Sequence, residues 1–245
     1  MIADEARQHG RVEVARLAET FDVTPETVRR DLTDLQRRGV LRRVHGGAIP
    51  VERLRSEPAV AERAQLMGEQ KGRIARAALA HLPRDGSVLL DAGTTTGALA
   101  DVLPADRPLT VVTNALPIAL TLSTRPALTL LLVGGRVRAR TLANVDDWAL
   151  RALHELSVDV AFVATNGLTV ERGLTTPDPA EAAVKRAMVR AGRQVIVLAD
   201  HTKVGQDHFV RFAELRDVDV LVTDDGIDEA DADAITAAGV EVVRA

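Results

Sequence analysis

Residues 87–102 read Ser-Val-Leu-Leu-Asp-Ala-Gly-Thr-Thr-Thr-Gly-Ala-Leu-Ala-Asp-Val. Val88, Leu89 and Leu90 form an unbroken apolar run, the pattern of a strand buried on both faces rather than one alternating between core and water. Asp91 then falls at the carboxyl end of that strand. Gly93 permits a tight turn and close approach by a ligand, and Thr94, Thr95 and Thr96 bring hydroxyls to the unpaired N–H groups that open a following helix. Strand, glycine turn and threonine-rich helix start together outline an anion site. An ordinary strand-to-helix turn with a threonine cap uses the same residue types, so the rest of the chain has to decide between them.

Further short apolar runs lie at 109–113, 128–133, 158–164, 194–199, 218–223 and 240–243, separated by segments of helical periodicity. Repeated strand, helix, strand predicts an α/β body, a parallel sheet covered on both faces. Ligands of such sheets bind outside the carboxyl ends of the strands, which places Asp91, Asn114, Gly134, Asn166 and Asp200 at candidate positions. Residues 57–82 carry a helical stripe through Ile74, Ala77, Ala78 and Leu82 and read as a connecting helix. The expected organisation is a head at 1–55, a linker helix at 56–82 and an α/β sensor at 83–245.

In the head, Val14, Leu17, Ala18 and Phe21 fall at i, i+3, i+4 and i+7 of a helix that breaks at Asp22-Val23. Thr24 then caps a second helix, Pro25 suits its first position, and Val28, Leu32 and Leu35 continue the buried stripe. Two short helices about a tight turn predict a helix-turn-helix. Thr27, Arg29 and Arg30 lie off the stripe in the first turns, where with Thr24 they can meet base edges in a major groove. Residues 40–48 read as a small wing whose Arg42, Arg43 and His45 can reach phosphates or the minor groove. Solvated arginines on a helical hairpin are the plainer account of the charge. Cap, turn, stripe and wing agree, however, and point to duplex DNA.

Composition narrows the remainder. The chain has 245 residues and a net charge of −4, unevenly spread. Residues 1–55 hold 11 arginines against 9 acids, so a basic head precedes an acidic body. The absence of cysteine excludes disulfides and thiolate metal sites. With no tyrosine and one tryptophan, the chain lacks a stacking platform for single strands. Asp4, Glu5, Arg7 and Arg11 interrupt any signal-peptide core and no run reaches membrane-spanning length, so a cytoplasmic protein without a membrane partner is expected.

Of 31 basic residues only Lys71, Lys185 and Lys203 are lysine. A lysine kept against that bias suits a place where a compact, rotatable ammonium is needed, as at a phosphate or a sugar oxygen. Lys203 follows Asp200 in a loop that ends at Gly205. Lys185 stands four residues after Glu181, and both a plain i, i+4 surface pair and a ligand contact fit that spacing. Lys71, with Arg63 one helical face away, fits either a ligand contact or a solvated position. His201 and His208 lack metal-ligand spacing and read as surface loop residues; no metal or other cofactor is expected.

The segment Thr24-Pro-Glu-Thr-Val-Arg-Arg-Asp-Leu32, followed by Leu35, Arg38-Gly39, Leu41, Arg43 and His45-Gly-Gly-Ala48, resembles the DNA-binding signature of the DeoR-type bacterial transcriptional regulators. The likeness continues through Asp91-Ala-Gly-Thr-Thr-Thr96, Val112-Thr-Asn-Ala-Leu-Pro117, Gly134-Gly-Arg136, Gly173-Leu-Thr-Thr176 and Ala199-Asp-His-Thr-Lys203, nearly the whole chain. It implies a winged helix-turn-helix on double-stranded operator DNA and a sensor domain resembling ribose-phosphate isomerase, with phosphorylated sugars as typical effectors. It adds Gly135 and Arg136 to the effector candidates Asp91, Gly93, Thr94, Thr95, Thr96, Asn114, Glu181, Lys185, Asp200 and Lys203. Asp200-x-x-Lys203 is in addition similar to a substrate-contacting segment of the isomerases. Two departures stand out. Family members usually carry further helical turns before the position of Ile2, so the first helix reads as shortened, and a glycine common in the loop after Arg136 is replaced by Asp146.

The expected protein is a repressor of a sugar-utilisation operon, acting as a dimer or tetramer because one short head makes few phosphate contacts and operators are commonly two-fold. A sugar-phosphate isomerase with an appended head is the first rival, with Asp91, Asp178, Glu181 or Asp200 available as base. A regulator that has lost DNA binding is the second. The basic, capped unit at 24–48 serves no catalytic need, so no catalytic residue is assigned.

Overall fold

The computed structural model describes residues 1–9, 12–37, 40–44, 46–50 and 58–245, so the candidate His45 lies outside the described residues, as does the side chain of Arg42. The chain divides into two compact units, Met1–Glu57 and Pro58–Ala245.

The first unit runs α1 (Ile2–His9), β1 (Val12–Glu13), α2 (Val14–Phe21), α3 (Pro25–Arg37), β2 (Leu41–Val44) and β3 (Gly47–Pro50). Its core gathers Ala6, Val14, Leu17, Val28, Leu32 and Leu41, with Ile2, Phe21 and Leu35 at the margin. Two turns of α1 are too few to persist alone; burial of Ala6 in that core holds them. Helix α2 stops where Asp22 turns left-handed at φ 52°. The chain then restarts as expected, Thr24 Oγ1 accepting the Thr27 N–H at 3.2 Å. Strand β3 lies between β1 and β2, with Val44 opposite Gly47 across a turn at Gly46, φ +73°. A Cβ on Gly47 would sit 1.9 Å from the Val12 carbonyl oxygen, so this hairpin requires glycine there.

The second unit opens with α4 (Val60–Gln65) and α5 (Gly68–Ala78). The helical pattern at 57–82 is therefore carried by two helices broken at Leu66-Met67, and by a 3-10 turn at Leu79–His81. A seven-stranded sheet follows, made of β4 (Gly86–Leu90), β5 (Leu109–Thr113), β6 (Thr129–Leu132), β9 (Val158–Ala164), β12 (Gly192–Leu198), β14 (Val220–Thr223) and β15 (Glu241–Arg244). Every pairing in it is parallel, in the order β15-β14-β12-β9-β4-β5-β6. Alternate side chains supply two cores: Leu89, Val112, Ala161, Val163 and Val197 enter one, and Val88, Leu90, Val111, Phe162 and Ile196 the other. Helices α8 (Asp146–His154), α9 (Pro179–Ala191) and α10 (Glu229–Ala237) cover the first face. Helices α5, α6 (Thr94–Val102) and α7 (Leu116–Leu122) cover the second. The unit is thus α/β, with the sheet covered on both faces as the apolar runs predict.

Two small antiparallel pieces flank the sheet. One pairs β7 (Arg136–Arg138) with β8 (Ala143–Val145), and the other joins β10 (Gly167–Thr169), β11 (Gly173–Thr176) and β13 (Val210–Ala213). The junction of β8 and α8 explains the unusual aspartate. Asp146 has φ +73°, a conformation that glycine adopts without cost. Here Asp146 accepts a 2.5 Å hydrogen bond from Arg136 Nε at the surface. Exposed pairs of this kind contribute little. Relief of backbone strain should therefore offset loss of the pair in Asp146→Gly, leaving the unfolding free energy nearly unchanged. Asp146→Val should lose about 1–2 kcal/mol. Denaturant titration of the two variants tests the contrast, and equal losses would show that the loop is not strained at this residue.

Candidate functional site

In chain order the sheet grows from β4 outward through β5 and β6, then returns to the other side of β4 with β9 and grows away through β12, β14 and β15. The reversal between β4 and β9 is a topological switch point, where the connections leave in opposite directions and open a crevice at the carboxyl ends of the strands. Asp91 follows β4 and Thr165 follows β9, so the stretch at 87–102 lies on that crevice. Asn114 after β5 and Asp200 after β12 occupy the neighbouring strand ends.

Asp91 is 1% exposed and Lys185, from α9, is 4% exposed; the two form a direct ion pair. Lys185 Nζ also donates to Ala164 O at 2.9 Å and lies 5.5 Å from the Phe212 ring centre. Asp91 Oδ2 additionally accepts the Ala164 N–H at 3.0 Å. Burial pushes the Asp91 carboxyl above its ordinary range, against the pull of the Lys185 ammonium. The i, i+4 pairing of Lys185 with Glu181 does not form. Lys185 points instead to a partner 94 positions away in sequence, while Glu181 accepts from Thr141 Oγ1 and from Arg138 Nη1 at 3.3 Å. Asp178 caps α9 through the Glu181 N–H at 3.0 Å and pairs with Arg138 at 3.1 Å.

A second group surrounds Asp200. Its Oδ1 accepts from the Thr202 N–H and hydroxyl, whereas Oδ2 is buried without a hydrogen bond, 3.8 Å from Lys203 Nζ. Lys71 belongs here as well: it is 5% exposed and feels the charges of Asp200 and Lys203. Of the four acids available as a base, Asp91, Asp178 and Glu181 are engaged by cations or hydroxyls, and only Asp200 presents a buried oxygen without a donor. His201 is anchored through a 2.7 Å contact between its Nδ1 and Asp224, and His208 Nε2 lies 3.1 Å from the Asn166 carbonyl oxygen. Both histidines are half-buried rather than free on the surface.

At the start of α6 the first three N–H groups have no backbone acceptor among the described residues. Thr96 spends its hydroxyl on Gly93 O at 3.1 Å, while those of Thr94 and Thr95 are unspent among the described residues. Gly93 itself is extended, at φ −179°, so a left-handed turn is not its purpose. A Cβ there would lie 2.8 Å from Ala164 Cβ, so glycine is needed for the close approach of β4 to β9. Asn114 is buried, donating to Asn144 O at 3.0 Å while its Oδ1 has no donor. Gly135, at φ +155°, passes so close to Val145 that a Cβ would lie 2.6 Å from its carbonyl oxygen. Arg136 is exposed on Asp146, and Arg138, two residues on, is the arginine that turns inward.

On the first unit, Thr24, Thr27, Arg29, Arg30 and Arg43 are all exposed. The Thr24 and Thr27 hydroxyls lie 2.9 Å apart and serve the cap of α3. Arg29 reaches Glu26 at 3.1 Å, and Arg43 reaches the Thr33 hydroxyl at 3.3 Å. Arg43 of β2 is thereby set beside α3.

Residues 1–53 match the DeoR-like helix-turn-helix domain, and residues 67–225 match the DeoR C terminal sensor domain. This chain belongs to the DeoR family of transcriptional regulators. Its relatives span it almost end to end. The HTH-type transcriptional regulator GlpR of Haloferax volcanii is 37% identical, covering 94% of this chain and 90% of the relative. The HTH-type transcriptional repressor GlcR of Bacillus subtilis is 33% identical over 99% and 93%. The glycerol-3-phosphate regulon repressor of Escherichia coli is 31% identical over 91% and 88%. Among solved structures, a probable sor operon regulator from Shigella flexneri overlaps 69% of this chain and 89% of its own, at 13% identity and a TM-score of 0.45. A ribose-5-phosphate isomerase bound to phospho-erythronic acid overlaps 56% and 54%, at 16% identity and a TM-score of 0.42.

Within this DeoR-type sensor, Lys71 and Arg138 are the residues that sequence reading left off the shortlist. The scarcity of lysine already marked the first. Burial, opposed by Asp200 and reinforced by Lys203 and Arg63, lowers the Lys71 ammonium from its ordinary 10.5 to about 8. Between those two values the unfolded chain holds a proton that the folded chain releases. The Lys71 contribution to stability therefore rises with pH across that window, by up to about 3 kcal/mol at its top. Subtracting the unfolding free energy of Lys71→Met from that of the parent cancels the other titrations. That difference should climb from pH 8 to 10.5, and a flat difference would show that the ammonium is not penalised by burial.

Proposed function

We propose that this DeoR-type regulator is a cytoplasmic repressor, acting as a dimer or tetramer on two-fold operator DNA, whose sensor unit binds a phosphorylated sugar. One observation carries the ligand assignment: the crevice at the switch point holds unmet partners of two opposite kinds. The N–H groups of Thr94, Thr95 and Thr96 call for an anion, and Lys203 and Lys71, although each already has partners, add positive charge around Asp200. The buried Oδ2 of Asp200 and Oδ1 of Asn114 call for hydroxyl donors. A phosphate satisfies the first set and is favoured by the helix dipole, and the hydroxyls of a sugar or polyol satisfy the second. A free sugar leaves the first set unmet, and inorganic phosphate leaves the second. The name of the Escherichia coli relative, a glycerol-3-phosphate regulon repressor, agrees with this class of ligand.

Thermal unfolding tests the assignment. Glycerol 3-phosphate, fructose 1-phosphate, fructose 6-phosphate and glucose 6-phosphate are set beside glycerol, fructose and glucose. A ligand at about 100 times its dissociation constant adds about 2.7 kcal/mol to native stability, a rise of several degrees in Tm for a chain of this size. At least one phosphate should produce that rise, and Thr95→Ala and Lys203→Ala should each blunt it. Free sugars stabilising as well as their phosphates would remove the anion cradle from the account, and turnover of the bound phosphate would identify an enzyme instead.

On the DNA side, Arg29 and Arg30 occupy the exposed first turns of α3 and are proposed to read base edges. An arginine making two hydrogen bonds to guanine contributes about 1–3 kcal/mol of discrimination, whereas a phosphate contact weakens all sequences alike. Arg29→Ala and Arg30→Ala should flatten sequence preference in a footprinting titration. Uniform weakening with preference intact would reassign both arginines to the backbone.

A further inference from the structure

Lys71 does more than face the crevice. Its Nζ donates to Arg63 O and to Leu66 O, each at 2.5 Å. These carbonyls close the end of α4 (Val60–Gln65), where the last C=O groups of a helix lack intrahelical donors; Arg63 O also accepts the Leu66 N–H, at 3.3 Å. A cation at that end is further favoured by the helix dipole. Helix α4 has little else to hold it. None of its residues is buried, Ala59 provides no side-chain cap, and six residues do not sustain a helix in water. At its start the Val60 N–H reaches Arg140 O at 2.8 Å. Immediately after it, Met67 is held at φ 56°, a conformation that side-chain-bearing residues keep only under constraint.

The same ammonium is buried with no carboxylate in ion-pair contact among the described residues. Only neutral carbonyls bond it, while Asp200 and Lys203 act on it from farther off. Helix α5, which carries Lys71, packs along α6, whose N-terminal N–H groups form the proposed anion cradle, and α4 touches α6 as well. An anion arriving there meets a buried cation that is bonded only to dipoles. A hydrogen bond from an ammonium to a phosphate oxygen is roughly twice as strong as one between neutral groups, and low dielectric widens the difference.

We propose that Lys71 relays occupancy of the crevice to α4: a phosphate-bearing ligand draws the ammonium off the Arg63 and Leu66 carbonyls, and α4 with the constrained Met67 loosens. The relay rests on the effector-site reading above. It also gives that site a route to the rest of the chain. Pro58 begins the second unit directly after Glu57 ends the first, so α4 is the first sensor helix reached from the DNA-binding unit along the backbone.

Hydrogen exchange read by mass spectrometry on the full chain tests the relay, with fructose 1-phosphate and inorganic phosphate as probes and calorimetry to establish binding. On binding, amides of 61–67 should exchange about tenfold faster, as expected for loss of the clamp, while amides of 94–97 slow down. In Lys71→Met the unliganded protein should already show the faster exchange at 61–67, with no further change on adding probe. Slower exchange at 94–97 with unchanged or slower exchange at 61–67 would overturn the relay and leave the anion site standing. No binding and no slowing at 94–97 would overturn the anion site and the relay with it. The comparison of bound and unbound parent protein decides between these outcomes even if Lys71→Met does not fold.

Discussion

The ion pair between Asp91 and Lys185 is the constraint on which the sensor depends. Both partners are removed from water, and a buried charge left alone costs several kcal/mol, so neither residue can be displaced without the other. The pair fixes α9 against the end of β4, and through Ala164 it holds β9 to the same point, since that residue gives its N–H to Asp91 and its carbonyl to Lys185. The strands on either side of the topological reversal are thereby locked at the place where the crevice opens. Gly93 completes the lock, because only a residue without a side chain lets the chain after β4 pass so close to Ala164.

Around this fixed centre the polar groups divide by state of satisfaction. Asp178, Glu181, Arg138 and Thr141 bond to one another and form a closed wall. Asp200 Oδ2, Asn114 Oδ1 and the N–H groups opening α6 remain unmet among the described residues. Buried polar atoms without partners cost stability. Three of the four acids that could serve as a base, Asp91, Asp178 and Glu181, are held by cationic or hydroxyl partners.

Much of this architecture was legible in the residues. Runs such as 158–164 announce a doubly covered parallel strand, and β9 occupies that very span. Thr24, Pro25 and the stripe through Val28 and Leu32 locate α3 to its first residue. The elements that stayed hidden were those whose signal is not local. Strands β7, β8, β10, β11 and β13 are three or four residues long, too short for a period to show. The break at Leu66-Met67 follows from a clamp on its carbonyls rather than from a proline. Lys185 had a plausible neighbour at the expected helical spacing, yet its partner comes from a distant strand, because the order in which parallel strands associate is set by packing across the sheet. Asp146 was visible as a departure from the family pattern, but its left-handed backbone was not.

The reversal of the sheet has a consequence for how the protein comes into being. The threonine cradle follows β4 and Asn114 follows β5, while Lys185, Asp200 and Lys203 belong to segments on the other side of the reversal. A ligand bound as proposed would therefore act as a non-covalent staple between segments far apart in the chain. Such a site would be complete only once the loop bearing Lys203 had emerged from the ribosome. Among the described residues, the core of the DNA-binding unit is drawn from Ile2 to Ala48, all of which are made before that loop.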